Sequence, residues 1–212
     1  MDPHLNIGIV AHTSRAAAAK KLAAATNADY LSVDDGTLGA EGNHRATQTH
    51  LAGIPTTWTV ILEDDAQPID GFRHHLEQAL LMAPSPIVSL YLGRQRPPHW
   101  QKRIAAAVAE ANTTSASWII SGHLLHAVGY AIRTHLLPSL LAHHSPRPVD
   151  EHITSWAKQY GHTVAYTVGS LVDHADWPTI VAHRDRQPRR PGRTAWQLGG
   201  RNEWTTRAVT LR

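Results

Sequence analysis

The sequence predicts an α/β domain with a mostly parallel central sheet. Two observations carry that prediction, and a third places the candidate site. Short apolar runs alternate with helix-forming segments, which is the pattern of repeated strand–helix units. The runs also lack the polar alternation of a sheet with one wet face, so helices must cover both faces. Acids then fall at the ends of two runs, Asp34-Asp35 and Glu63-Asp64-Asp65. In open sheets of this class ligands sit beyond the carboxyl ends of the strands.

The elements follow in order. Leu5–His12 is a short run rich in branched residues and reads as a buried strand. Ser14–Thr26 holds strong helix formers, with Ser14 placed as N-cap. Asp29–Gly36 is a second strand ending in a turn, and Gly42–Gly53 is a helix bounded by glycines. The stretch from Trp58 into the three acids is the most apolar strand. Ile69–Ala83 is helical, because Phe72, Leu76, Ala79, Leu80 and Ala83 share one face. Pro86–Gly93 is a strand, Arg94–Trp100 a loop and Gln101–Ala111 a short helix. Ala116–Gly122 and His126–Ile132 are strands, and a helix with Pro138 in its first turn follows. A further helix begins near Asp150, and His162–His174 is one strand with a polar end.

The chain has 212 residues, which suits one domain with an appendage. From Arg184 to Arg212 there are eight arginines against Asp185 and Glu203, whereas residues 1–183 carry 12 basic and 15 acidic residues. The division expected is therefore a domain over 1–183 and a basic extension over 184–212. A basic tail suits a polyanion or a nucleotide diphosphate. Without cysteine, disulfides and thiolate metal sites are excluded. The N-terminus lacks a basic region ahead of its apolar stretch and does not read as a signal peptide. No run reaches the roughly 18 apolar residues of a membrane span. A cytoplasmic protein with no membrane partner is expected.

Carboxylates one residue apart on a strand end point the same way, so Glu63 and Asp65 are expected to share a side and Asp64 to face the other. Hard oxygen ligands suit Mg²⁺ or Mn²⁺, which leave positions for substrate phosphates. A solvated turn is the other reading of three adjacent acids.

The ordered set GAEGNHRATQTHLAG, TWTVILEDDAQPIDGF, HAVGYAIRTHLLPSLL, PVDEHITSWA and SLVDH resembles a glycosyltransferase of the GT-A fold. The likeness is to the family 25 group that acts on lipopolysaccharide and collagen, over about Leu5 to His174. It implies a GT-A-like, Rossmann-like domain and a nucleotide-sugar donor, a UDP-sugar in the first instance. By position, Glu63, Asp65 and His174 would hold Mn²⁺ or Mg²⁺. Val10, Ala11, His12 and Arg15 sit where the first loop meets the nucleotide. Asp34, Asp35, Asn43 and Asp64 would complete the donor site. An inverting transferase needs a carboxylate base near the acceptor hydroxyl, and Asp150 is the candidate with Glu151 in reserve. If configuration is retained, no such base is required.

The acceptor is read from size and charge. Small DNA-virus glycosyltransferases that modify hydroxymethylated pyrimidines in DNA are similar in size and simplicity. The basic tail, with Trp196 and Trp204, would bind the backbone and stack bases. Arg94, Arg96, His99 and Trp100 would grip the strand. A glycan or small-molecule acceptor, with the tail as a lid over the donor, is the rival reading. A metal-dependent nucleotidyltransferase or phosphohydrolase and a non-catalytic DNA-binding module lie outside the transferase class.

Overall fold

The computed structural model describes residues 4–178, 180 and 192–212. Its first strand, β1 (Leu5–His12), is buried along nearly its whole length. Leu5, Ile7, Ile9 and Ala11 enter one core layer, and Val10 enters the other. A strand apolar on both faces must be covered on both, and it is. On one side lie α1 (Ala16–Thr26) and α3 (Phe72–Leu81), through Ala19, Leu22, Phe72, Leu76 and Leu80. On the other lie α2 (Gly39–Ala52), α4 (Gln101–Thr114), α5 (Leu137–Ala142) and α6 (Val149–Gln159), through Leu51, Ile104, Leu140, Ile153 and Trp156.

The remaining strands are β2 (Tyr30–Asp34), β3 (Trp58–Glu63), β4 (Ala66–Pro68), β5 (Ile87–Ser89), β6 (Trp118–Ser121), β7 (Gly129–Arg133), β8 (Val164–Thr167), β9 (Val172–His174) and β10 (Ala208–Thr210). Eight form one sheet in the order β10-β6-β8-β5-β7-β3-β1-β2. Parallel pairings join β1 to β2 and β3, β5 to β8, and β6 to β10. Antiparallel pairings join β7 to β3 and β5, and β6 to β8. The α/β class and the mostly parallel sheet are as expected. The reversed strands β6, β7 and β10 are not visible in apolar periodicity, which carries no strand direction.

Gly8 sets how close α2 comes to β1. A Cβ there would lie 2.6 Å from Thr47 Cγ2 and 2.7 Å from Leu51 Cδ1. The missing side chain lets α2 sit low on the sheet and carries Asn43 and His44 to the rim.

Three expectations need correction. The run His162–His174 is two strands, because the chain turns a corner at Gly169 (φ +70°), where the backbone meets Gly199. β9 leaves the main sheet and pairs with β4 as a two-stranded ribbon. The first helix is not capped by Ser14: His12 Nδ1 accepts the Ser14 N–H, a 3₁₀ turn covers Thr13–Arg15, and α1 starts at Ala16.

The third correction concerns the extension. Residues 192–212 are part of the fold. Arg193 donates to Asp176 Oδ1 and to the Trp177 carbonyl. Ala195 bridges Gly93, and Leu198 bridges Ser170. Trp204 is 6 % exposed and packs on Trp118, with ring centroids 5.2 Å apart. β10 then closes the edge of the sheet. Trp204 is therefore core and cannot stack bases. Arg184, Arg186, Arg189 and Arg190 lie outside the described residues. No helix among the described residues is long and apolar enough to cross a membrane.

Candidate active site

The carboxyl ends of β1, β2 and β3 meet the β4–β9 ribbon and the first turn of α6 on one rim. β3 delivers Glu63 as its last residue, and Asp64 and Asp65 form the turn into β4. Arg15 rises from the loop after β1 to meet that turn. Its Nη1 donates to Asp64 Oδ1 and to Asp65 Oδ2, each at 2.8 Å. Its Nη2 donates to the Pro178 carbonyl at 2.8 Å, and the guanidinium lies over the Trp177 ring. Burial opposes the Arg15 charge, but the hydrogen bonds and charges of Asp64 and Asp65 outweigh it and raise its pKa. The His12 N–H donates to Asp64 Oδ2 at 2.9 Å, so both Asp64 oxygens are engaged. Two neighbouring carboxylates thus tolerate each other because a cation sits between them.

His174, from the ribbon, brings Nε2 to 3.5 Å from Asp65 Oδ2. Its Nδ1 accepts the Asp176 N–H at 2.8 Å. A neutral imidazole accepting at Nδ1 carries its proton on Nε2, so His174 faces Asp65 as a donor. The Tyr91 ring packs against both His126 and His174. Burial, then the nearby His174, lowers the His126 pKa to about 3.

Glu63 faces elsewhere. Its Oε1 lies 3.3 Å from His44 Nε2, and His44 Nδ1 lies 3.0 Å from the Tyr130 hydroxyl. Gln48 Nε2 donates to that hydroxyl at 3.0 Å. Asp150, in the first turn of α6, is close enough to Glu63 for their charges to interact, and burial first and then Glu63 raise its pKa to about 6. Asp150 is not the helix N-cap; that position is Pro148, and Asp150 Oδ1 accepts the next backbone N–H, from Glu151. Glu151 is exposed.

Other expected donor-site residues are placed as follows. Val10 and Ala11 are buried, so only their backbone faces the rim. Asn43 donates to the Ala11 carbonyl at 3.0 Å, and its buried Oδ1 has no partner among the described residues. Asp34 accepts from the Gly36, Leu38 and Gly39 backbone N–H groups, which fixes the turn into α2 and occupies both its oxygens. Asp35 is exposed, and its Oδ1 accepts from the Thr37 N–H and hydroxyl. In the RQRPPHW loop, Arg94 lies over Trp196 and donates to its carbonyl.

No protein-family model matches the chain, and no curated protein matches it. The geometry of the rim carries the functional reading.

Among the described residues no three His, Asp or Glu side chains converge as a ready metal cluster. The expected trio divides. Asp65 fits a hard divalent ion, because among the described residues its buried Oδ1 has no hydrogen-bond partner. Glu63 is turned to His44, whereas His174 Nε2 lies 3.5 Å from Asp65 Oδ2. Mg²⁺ and Mn²⁺ sites commonly take one or two carboxylates, with substrate phosphates and water completing the shell. Sequence reasoning did not assign the His44–Tyr130–Gln48 group, although Asn43-His44 and the GYAI segment were the signals available.

Proposed function

We propose that this chain is a nucleotide-sugar-dependent glycosyltransferase. The observation that supports it most is the meeting on one rim of Arg15, Asp64 and Asp65 on the β1 side with Asp150 on the α6 side. The donor lies against the loop after β1, where Arg15 and the His12 backbone border the acids. Mn²⁺ or Mg²⁺ held at Asp65 would neutralise charge on the leaving diphosphate. Asp150 is the base. Its pKa of about 6 makes it ionised at neutral pH yet basic enough to accept a proton. The acceptor oxygen bonds to the anomeric carbon as the bond from that carbon to the diphosphate oxygen breaks. The hydroxyl proton passes to Asp150. Configuration is inverted.

For the acceptor, a hydroxymethylated pyrimidine in DNA is the first to test. Its support is the net charge of +3 and the likeness in size to small viral DNA-base glycosyltransferases. A glycan or small-molecule acceptor is favoured by a different observation. Ala195 donates to Asp173, and the Tyr91 hydroxyl donates to the Arg193 carbonyl, so the C-terminal segment builds a wall beside His174. That position suits a donor-side wall better than a strand of DNA.

The test is thermal melting against a panel of nucleoside diphosphates and UDP-, GDP- and TDP-sugars, with Mn²⁺, Mg²⁺ or EDTA. A ligand that binds only the folded state raises the midpoint by mass action. The expected result is a Mn²⁺-dependent rise with one nucleotide, lost in Asp65→Asn. A rise with DNA alone, and with no nucleotide, would overturn the reading in favour of a binding module.

A further inference from the structure

The family likeness groups Glu63 with Asp65 as an ion ligand, but the rim separates them. Asp64 and Asp65 turn toward the loop after β1 and are held there by Arg15. Glu63 remains on the α2 side, fastened by a chain of three side chains.

One His44 tautomer accounts for the contacts in that chain. A carboxylate only accepts, so His44 Nε2 carries the proton that faces Glu63 Oε1. In the tautomer with its proton on Nε2, the Nδ1 atom is an acceptor. The Tyr130 hydroxyl has one hydrogen and donates it there, while its oxygen accepts from Gln48 Nε2. Gln48 Nε2, the Tyr130 hydroxyl, both His44 nitrogens and Glu63 Oε1 are linked in one chain. The chain is buried: Gln48 is 5 %, His44 3 % and Tyr130 1 % exposed. Such networks lock an orientation, because a broken link leaves a buried group unsatisfied.

The end of the chain is open. The Glu63 side chain is 32 % exposed, and its Oε2 has no hydrogen-bond partner among the described residues. Asp150 is near enough for the two charges to interact. A carboxylate fixed by one oxygen, open at the other and next to the base is placed to receive a hydroxyl.

We propose that Glu63 is an acceptor-binding residue, held by the Gln48–Tyr130–His44 chain, and that it lies outside the subsite for the donor diphosphate and its ion. This rests on the glycosyltransferase reading and deepens it. The acceptor class that follows is a neutral hydroxyl compound at the reacting end. Glu63 Oε2 accepts a hydrogen bond from a hydroxyl or bound water, while Asp150 takes the proton of the attacking one. Two carboxylates would repel an acceptor that carried an anion at that point.

The test separates binding from turnover and uses water as the acceptor, so it needs no acceptor identified in advance. The probes are UDP and the UDP-sugar with MnCl₂, or the corresponding pair for whichever nucleotide stabilises the wild-type chain. Binding is read by calorimetry, and turnover by nucleoside diphosphate released on donor hydrolysis. For Glu63→Gln the expected Kd for the nucleotide stays within about twofold of wild type, while kcat for hydrolysis falls about tenfold or more. For Asp65→Asn, Mn²⁺-dependent binding itself falls at least about tenfold. Tyr130→Phe keeps the ring and removes the hydroxyl, so it gives the same split as Glu63→Gln with a smaller fall. It carries the test if Glu63→Gln does not fold. Loss of Mn²⁺-dependent binding in Glu63→Gln equal to that in Asp65→Asn would place Glu63 in the ion site and overturn the proposal alone. Unchanged binding and unchanged kcat would also overturn it. If no nucleotide binds the wild-type chain, the glycosyltransferase reading fails and this assignment falls with it.

Discussion

Arg15 Nη1 lies 2.8 Å from Asp65 Oδ2, and the same nitrogen lies 2.8 Å from Asp64 Oδ1. One guanidinium thus sets the conformation of the acidic turn that β3 delivers to the rim. The side chains are largely withdrawn from water, at 14 %, 9 % and 13 % exposure for Arg15, Asp64 and Asp65.

Removing that cation should be costly. Arg15→Ala leaves two partly buried carboxylates facing each other, and a loss of about 2 kcal/mol in unfolding free energy is expected. Urea denaturation at pH 7 measures it. Arg15→Ala should also weaken nucleotide binding.

Asp150 gives a pH signature. Its folded pKa of about 6 lies above the roughly 3.9 of an unfolded aspartate, so ionisation is disfavoured by the fold. The stability that the neutral form lends is fully present below about pH 4 and lost as pH rises through about 6. Asp150→Asn should therefore melt higher than wild type at pH 7–8, by on the order of 1–2 kcal/mol, and match it near pH 4. Glu63 and Glu151 are the neighbouring charges that raise this pKa, so Glu63→Gln should lower it. In the active protein kcat should rise with pH through about 6 and then level off. A midpoint near 4 would remove Asp150 from the role of base.

Gly8→Ala tests how α2 is seated. The added methyl meets Thr47 and Leu51 well inside contact distance, and a loss of about 1–3 kcal/mol is expected from the forced shift. His44 rides on the same helix, so catalysis should fall by more than stability alone explains.

The C-terminal segment should behave as core. Trp204→Ala empties a site packed against Trp118, and should cost about 3–5 kcal/mol. Truncation after residue 191 removes that tryptophan and β10 together, and should leave a chain that does not melt cooperatively. A truncated protein that melts like the full chain would restore the picture of a separate extension.

The parts of the fold legible in the sequence are those whose residues carry their own signal. β1 and β3 are apolar on both faces, and α3 shows a clean apolar stripe. β4, β9 and β10 are three residues each and exist because of their partners, so nothing local announces them. The acidic rim was legible, since strand ends and ligands go together in α/β sheets. Its internal pairing was not. Period-two alternation put Glu63 with Asp65, but the chain leaves β3 at Glu63, and a turn does not preserve strand alternation. Arg15 is 49 residues from Asp64, and His44 is 86 from Tyr130. Such contacts come from topology rather than from any local pattern.

The most direct measurement is the identity of what leaves the donor. The wild-type chain, a UDP-sugar or the nucleotide sugar that stabilises it, Mn²⁺ and a hydroxymethylated DNA duplex or a glycan panel are incubated, and the products are resolved by mass spectrometry. A glycosyltransferase releases nucleoside diphosphate in step with sugar gained by the acceptor or by water, and Asp150→Asn abolishes both. Release of pyrophosphate, or no turnover of any nucleotide sugar by a chain that still binds DNA, would contradict it.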